Sequence, residues 1–213
     1  LVTLILSPSL VLQPVGIFWV DAILGSSKTV ALLFSGICIA FIPNAFNTAD
    51  GANGLVAGTS IFALAGLTMV ASPSTIPFLS AGLVGCLIFV IFNLVSGRFF
   101  LGDGGAYFLG ALCGLGLIVV SNNAEVSAWW LLSLIFYPVA DLMWSMARRL
   151  LDGGSPFEPD NQHLHNLLFT YFDSRSMSSM TANSFTGLSI ALIFSGLPAG
   201  IAWSGVWVVT DSV

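Results

Sequence analysis

Residues 99–120 read FFLGDGGAYFLGALCGLGLIVV, with one carboxylate, Asp103, set among three glycines at the head of an otherwise uncharged run. The apolar part, 105–121, is close to the ~20 residues a helix needs to cross a bilayer core. The stretch is therefore expected to be a membrane helix with a carboxylate at its mouth. The glycines let a ligand approach the backbone closely. A helix that starts just after Asp103 would offer free N–H groups and partial positive charge to phosphate oxygens. A carboxylate there suits a divalent cation, because Mg²⁺ takes one or two carboxylates together with substrate phosphates. It also suits a helix cap, and the two roles are compatible. Downstream, GALCG (110–114) places small residues four apart, a helix-packing pattern.

The rest of the chain agrees with a membrane setting. It has 213 residues, 56% of them hydrophobic and 7% charged, with a mean hydropathy of +0.97. A soluble domain carries about 25% charged residues, so this chain has too few to cover a water-facing surface. Apolar runs at 1–20, 29–46, 55–72, 77–97, 105–121, 126–147 and 184–209 are each near spanning length. The expectation is an all-α, polytopic integral membrane protein with about seven transmembrane helices, forming one domain over 1–213. A closed β-barrel would show short alternating strands instead. The first residue is Leu with no basic segment before the first run, so a signal peptide is not expected and a piece of a longer chain is. Cys38, Cys86 and Cys113 all lie in apolar runs without paired spacing, as small core residues do.

Alternating seven spans puts loops 47–54, 98–104 and 148–183 on one side, with four of the five basic residues, Arg98, Arg148, Arg149 and Arg175; only Lys28 falls on the other. The positive-inside rule makes the Arg-bearing side the cytoplasm. Asp50, Asp103, Asp152, Glu158, Asp160, His163 and His165 share that side, whereas the opposite loops carry one acid, Glu125. No nucleic-acid partner is expected.

Three polar stretches interrupt the apolar pattern. PNAFNTADGANGL (43–55) repeats Asn44, Asn47, Asp50 and Asn53 every third residue, which on a helix end gathers them roughly on one face. Capping and turn formation need fewer such groups. The second stretch is the Asp103 segment, preceded by Arg98. The third, ARRLLDGGSPFEPDNQHLHNLLF (147–169), holds two arginines, acids, prolines and the chain's only histidines, His163 and His165. Arg148 and Arg149 also read as interfacial anchors. An H-x-H pair can bind metal or phosphate, or act as acid or base. Asp141 lies inside an apolar run, where an ionisable group is costly. Structural pairing and a link to the polar face are both open for it.

Together these stretches resemble the polyprenyl-phosphate N-acetylhexosamine-1-phosphate transferases. NAFNTADGANGL looks like that family's N-A-x-N-x-x-D-G-x-[DN]-G-L element, and FLGDGGAYFLG is similar to its F-x-G-D-x-G-[SA]-x-x-x-G element. PVADLMWSMARRLLDGGSPFEPDNQHLHNLL (138–168) resembles its P-x-x-D…R-R…P-F-x-x-D-x-x-H-x-H segment. The resemblance runs in family order over roughly 29–170. The family's D-D-x-x-[DK] element, expected upstream, is absent, which fits an N-terminal truncation. Spans may be missing from the C-terminus too, and the piece alone is expected to be inactive. Asn166 stands where well-known members have a further His, and the H-H-H pattern of the related phospho-MurNAc-pentapeptide translocase is missing, so the peptidoglycan precursor is not the expected substrate.

The resemblance implies that an N-acetylhexosamine 1-phosphate passes from a UDP-N-acetylhexosamine to a polyprenyl (undecaprenyl) phosphate, releasing UMP. This is the first step of lipid-linked cell-envelope glycan synthesis, such as cell-wall polymer or lipopolysaccharide, at the cytoplasmic face of a bacterial inner membrane. It implies Mg²⁺ or Mn²⁺ on Asp103, substrate binding by Asn44, Asn47, Asp50, Asn53, Arg148 and Arg149, and catalytic roles for Asp103, His163 and His165. A phosphate monoester is largely dianionic at neutral pH, so positioning imidazoles fit better than a base. Two rivals differ in kind. An intramembrane aspartyl protease would pair Asp103 with Asp141, but its G-x-G-D is broken by Phe100. A transporter would place its polar site at mid-membrane with inverted repeats.

Overall fold

The computed structural model describes residues 8–156, 161–175 and 177–203, and all regular structure among them is helical. A single 3₁₀ turn, Pro8–Leu10, precedes α1 (Phe18–Ser26), α2 (Lys28–Ala49), α3 (Leu55–Val70), α4 (Ile76–Ser96) and α5 (Gly102–Asn123). Then come α6 (Ala128–Leu134), α7 (Phe136–Leu151), α8 (Leu164–Asp173), α9 (Ser179–Ala191), a π-helical turn (Leu192–Gly196) and α10 (Leu197–Trp203). Local chemistry explains several boundaries. The Ser27 hydroxyl caps α2 by accepting from the Val30 N–H. α4 carries Pro in its first turn and stops at Gly97, which adopts a left-handed φ of 59°.

Among the described residues, four helical segments are long and apolar enough to cross a membrane: α2, α4, α5, and α9 with its continuation over Ser179–Ile201. The bent pair α6–α7 makes a fifth if it counts as one span. This corrects the seven expected. The 55–72 run becomes α3, 16 residues long, or about 24 Å at 1.5 Å per residue, short of the ~30 Å core. Leu55, Leu64 and Leu67 of α3 are fully buried, because this helix runs through the bundle interior. A helix apolar on every side is the signature of a core helix and of a span alike, so the run could not reveal which it was. The 126–147 run bends by 80° between α6 and α7. The 1–20 run yields only the 3₁₀ turn and the start of the nine-residue α1 among the described residues.

Packing follows membrane rules. Gly110 and Gly114 of α5 face α2: a Cβ at Gly110 would lie 2.6 Å from Cα of Pro43, and one at Gly114 would lie 3.2 Å from Ile42. The small residues let two backbones approach closely. α4 instead turns Phe78, Leu87, Ile88, Ile91 and Val95 outward, an apolar stripe of the kind that meets lipid.

The topology collects one set of ends. The loop after α2, the start of α3, the end of α4, the start of α5 and the start of α9 line a common cavity. α3 carries the chain away from that end and α4 returns it. Lys28 begins α2 and so lies about 33 Å away by helical rise. Arg98 sits between α4 and α5, and Arg148 and Arg149 occupy the last turn of α7. The charge rule would put the cavity end at the cytoplasm. A lone cysteine at Asn161, in a background without Cys38, Cys86 and Cys113, should resist a membrane-impermeant thiol reagent in intact cells. One at Ser74, in the α3–α4 turn, should react. The opposite labelling pattern would invert the bundle.

Candidate active site

Asp50 and Asp103 line one cavity of about 330 Å³, together with Asn53, Asn93, Asn183 and Phe100. Each carboxylate is held by the end of a helix. Asp50 is the C-cap of α2, and its N–H donates to the Asn47 carbonyl at 3.3 Å. Asp103 sits in the first turn of α5, after Gly102 at φ 64°. That left-handed backbone is easy only for glycine. Leu101, not Asp103, is the N-cap, and among the described residues the Asp103 carboxylate has no hydrogen-bond partner. Burial, and then the charge of Asp103, push the Asp50 carboxyl up to about 6. The half-buried Asp50 and the exposed Asp103 make the cavity anionic, and a cation there would relieve the cost at Asp50.

Two amides that the sequence did not flag complete the cavity. Asn183, at the start of α9, accepts a 2.6 Å hydrogen bond from the Asn53 N–H through Oδ1. It thereby fixes the loop that carries Asp50. Gly187, one turn on, lets α9 close on that loop, since a Cβ there would collide with the Asn53 carbonyl. Asn93 of α4 is 3% exposed and donates to the Phe99 carbonyl at 2.6 Å, while its Oδ1 is buried without a partner. Asn93 carried a readable signal, as an amide inside an apolar run ten residues before Asp103. Asn183 carried none, because it lies in a Ser/Thr/Asn-rich helix start.

The histidines lie on the other side of the Asp50 loop. His163 Nδ1 donates to Asp141 Oδ2 at 2.7 Å, with both side chains nearly buried. The His165 ring stacks on His163 at 5.3 Å and 7°, and its Nδ1 lies 2.9 Å from the Tyr137 hydroxyl. Asp141 is thus both a structural partner and a link to the polar face. Burial, opposed by Asp141 and aided by His163, lowers His165 well below an ordinary imidazole, which favours the neutral ring. Its Nε2 presses against Gly51, where an added Cβ would collide with it.

The remaining candidates separate. α2 ends at Ala49, so Asn44, Asn47, Asp50 and Asn53 do not share a face. Asn44 is exposed, donates to the Ala40 carbonyl at 2.8 Å and lines a groove of about 480 Å³ between α2 and α7 with Ile37, Phe41, Met146 and Arg149. Asn47 contributes its carbonyl to the α2 terminus. Arg149 donates to the Pro156 carbonyl at 2.7 Å, and Arg148 reaches the Gln162 carbonyl at 3.4 Å. Both arginines therefore brace the loop that leads to the histidines. Asp152 is the C-cap of α7, and Glu158 and Asp160 lie outside the described residues. Asp141 does not line the Asp103 cavity, so the pair a protease would need is not assembled there.

Among the described residues no three His, Cys, Asp or Glu side chains cluster as a metal cage. The donor set at the cavity is two carboxylates. That fits Mg²⁺ or Mn²⁺ completed by phosphate oxygens and water, and does not fit a structural zinc site.

The close approach at Gly51 has a measurable consequence. Gly51→Ala forces the wedged His165 ring to move, at the usual overpacking cost of about 1–3 kcal/mol. Gly104→Ala meets nothing within 4 Å and sits in a helix, where Ala is favoured. In detergent, Gly51→Ala should lower Tm and Gly104→Ala should leave it unchanged or raise it. Equal Tm values for Gly51→Ala and the parent would mean that His165 is not wedged there.

Comparison with known proteins gives these features a family. The profile of glycosyl transferase family 4 matches residues 1–121. The chain is 32% identical over 138 residues to the undecaprenyl-phosphate alpha-N-acetylglucosaminyl 1-phosphate transferase of Escherichia coli K12, covering 59% of this chain and 37% of that protein. The Thermotoga maritima protein of the same name is 32% identical over 124 residues, covering 58% and 38%. A probable undecaprenyl-phosphate N-acetylglucosaminyl 1-phosphate transferase of Bacillus subtilis is 31% identical over 143 residues, covering 64% and 40%. The chain thus spans less than half the length of these curated relatives. With more than half of its residues matched by the family profile, the chain belongs to glycosyl transferase family 4.

Proposed function

We propose that the protein transfers an N-acetylhexosamine 1-phosphate from a UDP-sugar to undecaprenyl phosphate, at the cytoplasmic face of a bacterial plasma membrane. The observation that carries this reading is the meeting of Asp50 and Asp103, from separate motifs, in one cavity at the end of an apolar helical bundle. The names of the bacterial relatives support the lipid acceptor and the amino sugar.

The chemistry joins two anions. An oxygen of the lipid phosphate attacks the β-phosphorus of the UDP-sugar, the bond to the bridging oxygen breaks, and UMP leaves with that oxygen. The main obstacle is charge, since phosphoryl transfer is chiefly positioning and electrostatic stabilisation. A divalent cation held by Asp103, with Asp50 beside it, would supply the neutralising charge. The Asn183–Asn53 bond keeps the Asp50 loop in place. The groove between α2 and α7 is apolar along Ile37, Phe41 and Met146 and polar at Asn44 and Arg149. It suits a lipid whose one end is charged. Neutral His165 at the loop serves as a positioning group.

The test uses the full-length parent. Asp103→Asn keeps the side chain's size and removes its charge. UMP release at saturating Mg²⁺ should fall by about a hundred-fold or more, the scale of losing one electrostatic stabiliser of a transition state. Membrane insertion and Tm should hold. Near-normal Mg²⁺-dependent turnover in Asp103→Asn would remove Asp103 from the chemistry.

A further inference from the structure

Tyr137 and Asp141 lie four residues apart on α7, hence on one face of that helix. Each grips one histidine through Nδ1, at 2.9 Å and 2.7 Å respectively. His163 and His165 are two residues apart, a spacing that does not bring side chains together within a helix. Here they stack because His163 is the extended residue before α8, at φ −77° and ψ 148°. One face of α7 therefore sets the orientation of both rings.

The protons can be assigned from the partners. A carboxylate only accepts, so His163 donates its Nδ1–H to Asp141. Tyr137 is buried, and its hydroxyl meets the His165 backbone N–H, which can only donate, and has no acceptor other than His165 Nδ1 among the described residues. A buried hydroxyl proton left without an acceptor is costly, so the phenol donates to His165 Nδ1. That nitrogen must then carry a lone pair, and the ring proton sits on Nε2. His165 is 3% exposed; its Nε2 has no hydrogen-bond partner among the described residues and is not one of the fully enclosed unpartnered atoms, so it keeps some access to solvent. It points at the Asp50–Gly51 loop, in space that a Cβ on Gly51 would fill.

We propose that Tyr137 is a positioning residue that locks His165 in the Nε2–H tautomer, so that His165 serves as a fixed neutral donor to an anionic substrate oxygen and not as a base. Asp141 orients the stacked His163 in the same way, through its Nδ1–H. The acceptor that completes Nε2–H is a phosphoryl oxygen brought to the Asp50 loop, and this identification rests on the transferase reading. The tautomer assignment rests on the hydrogen bonds alone.

The experiment has two arms, both on the full-length protein in lipid nanodiscs, purified through a tag without histidine. In the first, ¹⁵N-histidine NMR is recorded, and the His165 signals are those lost in His165→Gln. They should show an unprotonated Nδ1 and a protonated Nε2, unchanged between about pH 6.5 and 8.5. In Tyr137→Phe they should shift towards a mixture of tautomers. In the second arm, Tyr137→Phe should lower kcat for UMP release on the order of ten-fold, the scale on which an orienting partner acts, with little change in the shape of the pH profile. The same substitution should cost little more in a His165→Gln background, since Gln supplies its own N–H. Three results would overturn the proposal. They are a proton on His165 Nδ1 in the parent, tautomer signals unmoved by Tyr137→Phe, or an equal loss from Tyr137→Phe in both backgrounds. If no transferase activity is found, the first arm still decides the tautomer.

Discussion

Asp50 and Asp103 hold like charges on one small cavity, and much of the surrounding structure keeps them there. Partial burial, with repulsion from Asp103 added, moves Asp50 to about 6, well above an ordinary carboxylate. The bundle sustains the arrangement by using backbone that cannot relax away. Asp50 is fixed as the terminus of α2 by the Asn47 carbonyl, and the following loop is pinned by Asn183. Asp103 is delivered by the left-handed turn at Gly102. α3, buried through the middle of the bundle, carries the chain out and allows α4 to return beside the same cavity.

The histidine cluster forms a second layer beneath that loop. His165 fills the space opposite Gly51, and Tyr137 and Asp141 hold the two imidazoles from α7. Arg148 and Arg149 bind carbonyls of the connecting segment, so their structural task is to hold the loop that delivers the histidines. The bend between α6 and α7 lets a segment of spanning composition bring its polar half against the cavity end.

Chemistry was more legible in the sequence than geometry. Charge within an apolar chain stands out, so Asp50, Asp103, Asp141, His163 and His165 could be picked out, and motif order tied them to one family. Three features were hidden for physical reasons. Hydropathy measures how apolar a segment is and not whether lipid or protein surrounds it, so α3 read as a span. Periodicity assumes a continuing helix, so Asn44 to Asn53 read as one face although α2 stops at Ala49. Partners across the fold leave no local mark: nothing near Asn183 or Tyr137 in sequence points to Asn53 or His165. Asn93 was the exception, since a lone amide in an apolar run is a visible cost.

If Asp50 and Asp103 together hold a divalent cation completed by a substrate diphosphate, electron paramagnetic resonance of Mn²⁺ added to the full-length protein, with and without UDP, will report it. Bound Mn²⁺ loses the signal of the free ion. Mn²⁺ binding should tighten when UDP is added to the parent, and the tightening should be lost in Asp50→Asn and in Asp103→Asn. Binding in both variants equal to the parent, with UDP present, would mean that neither carboxylate holds the cation.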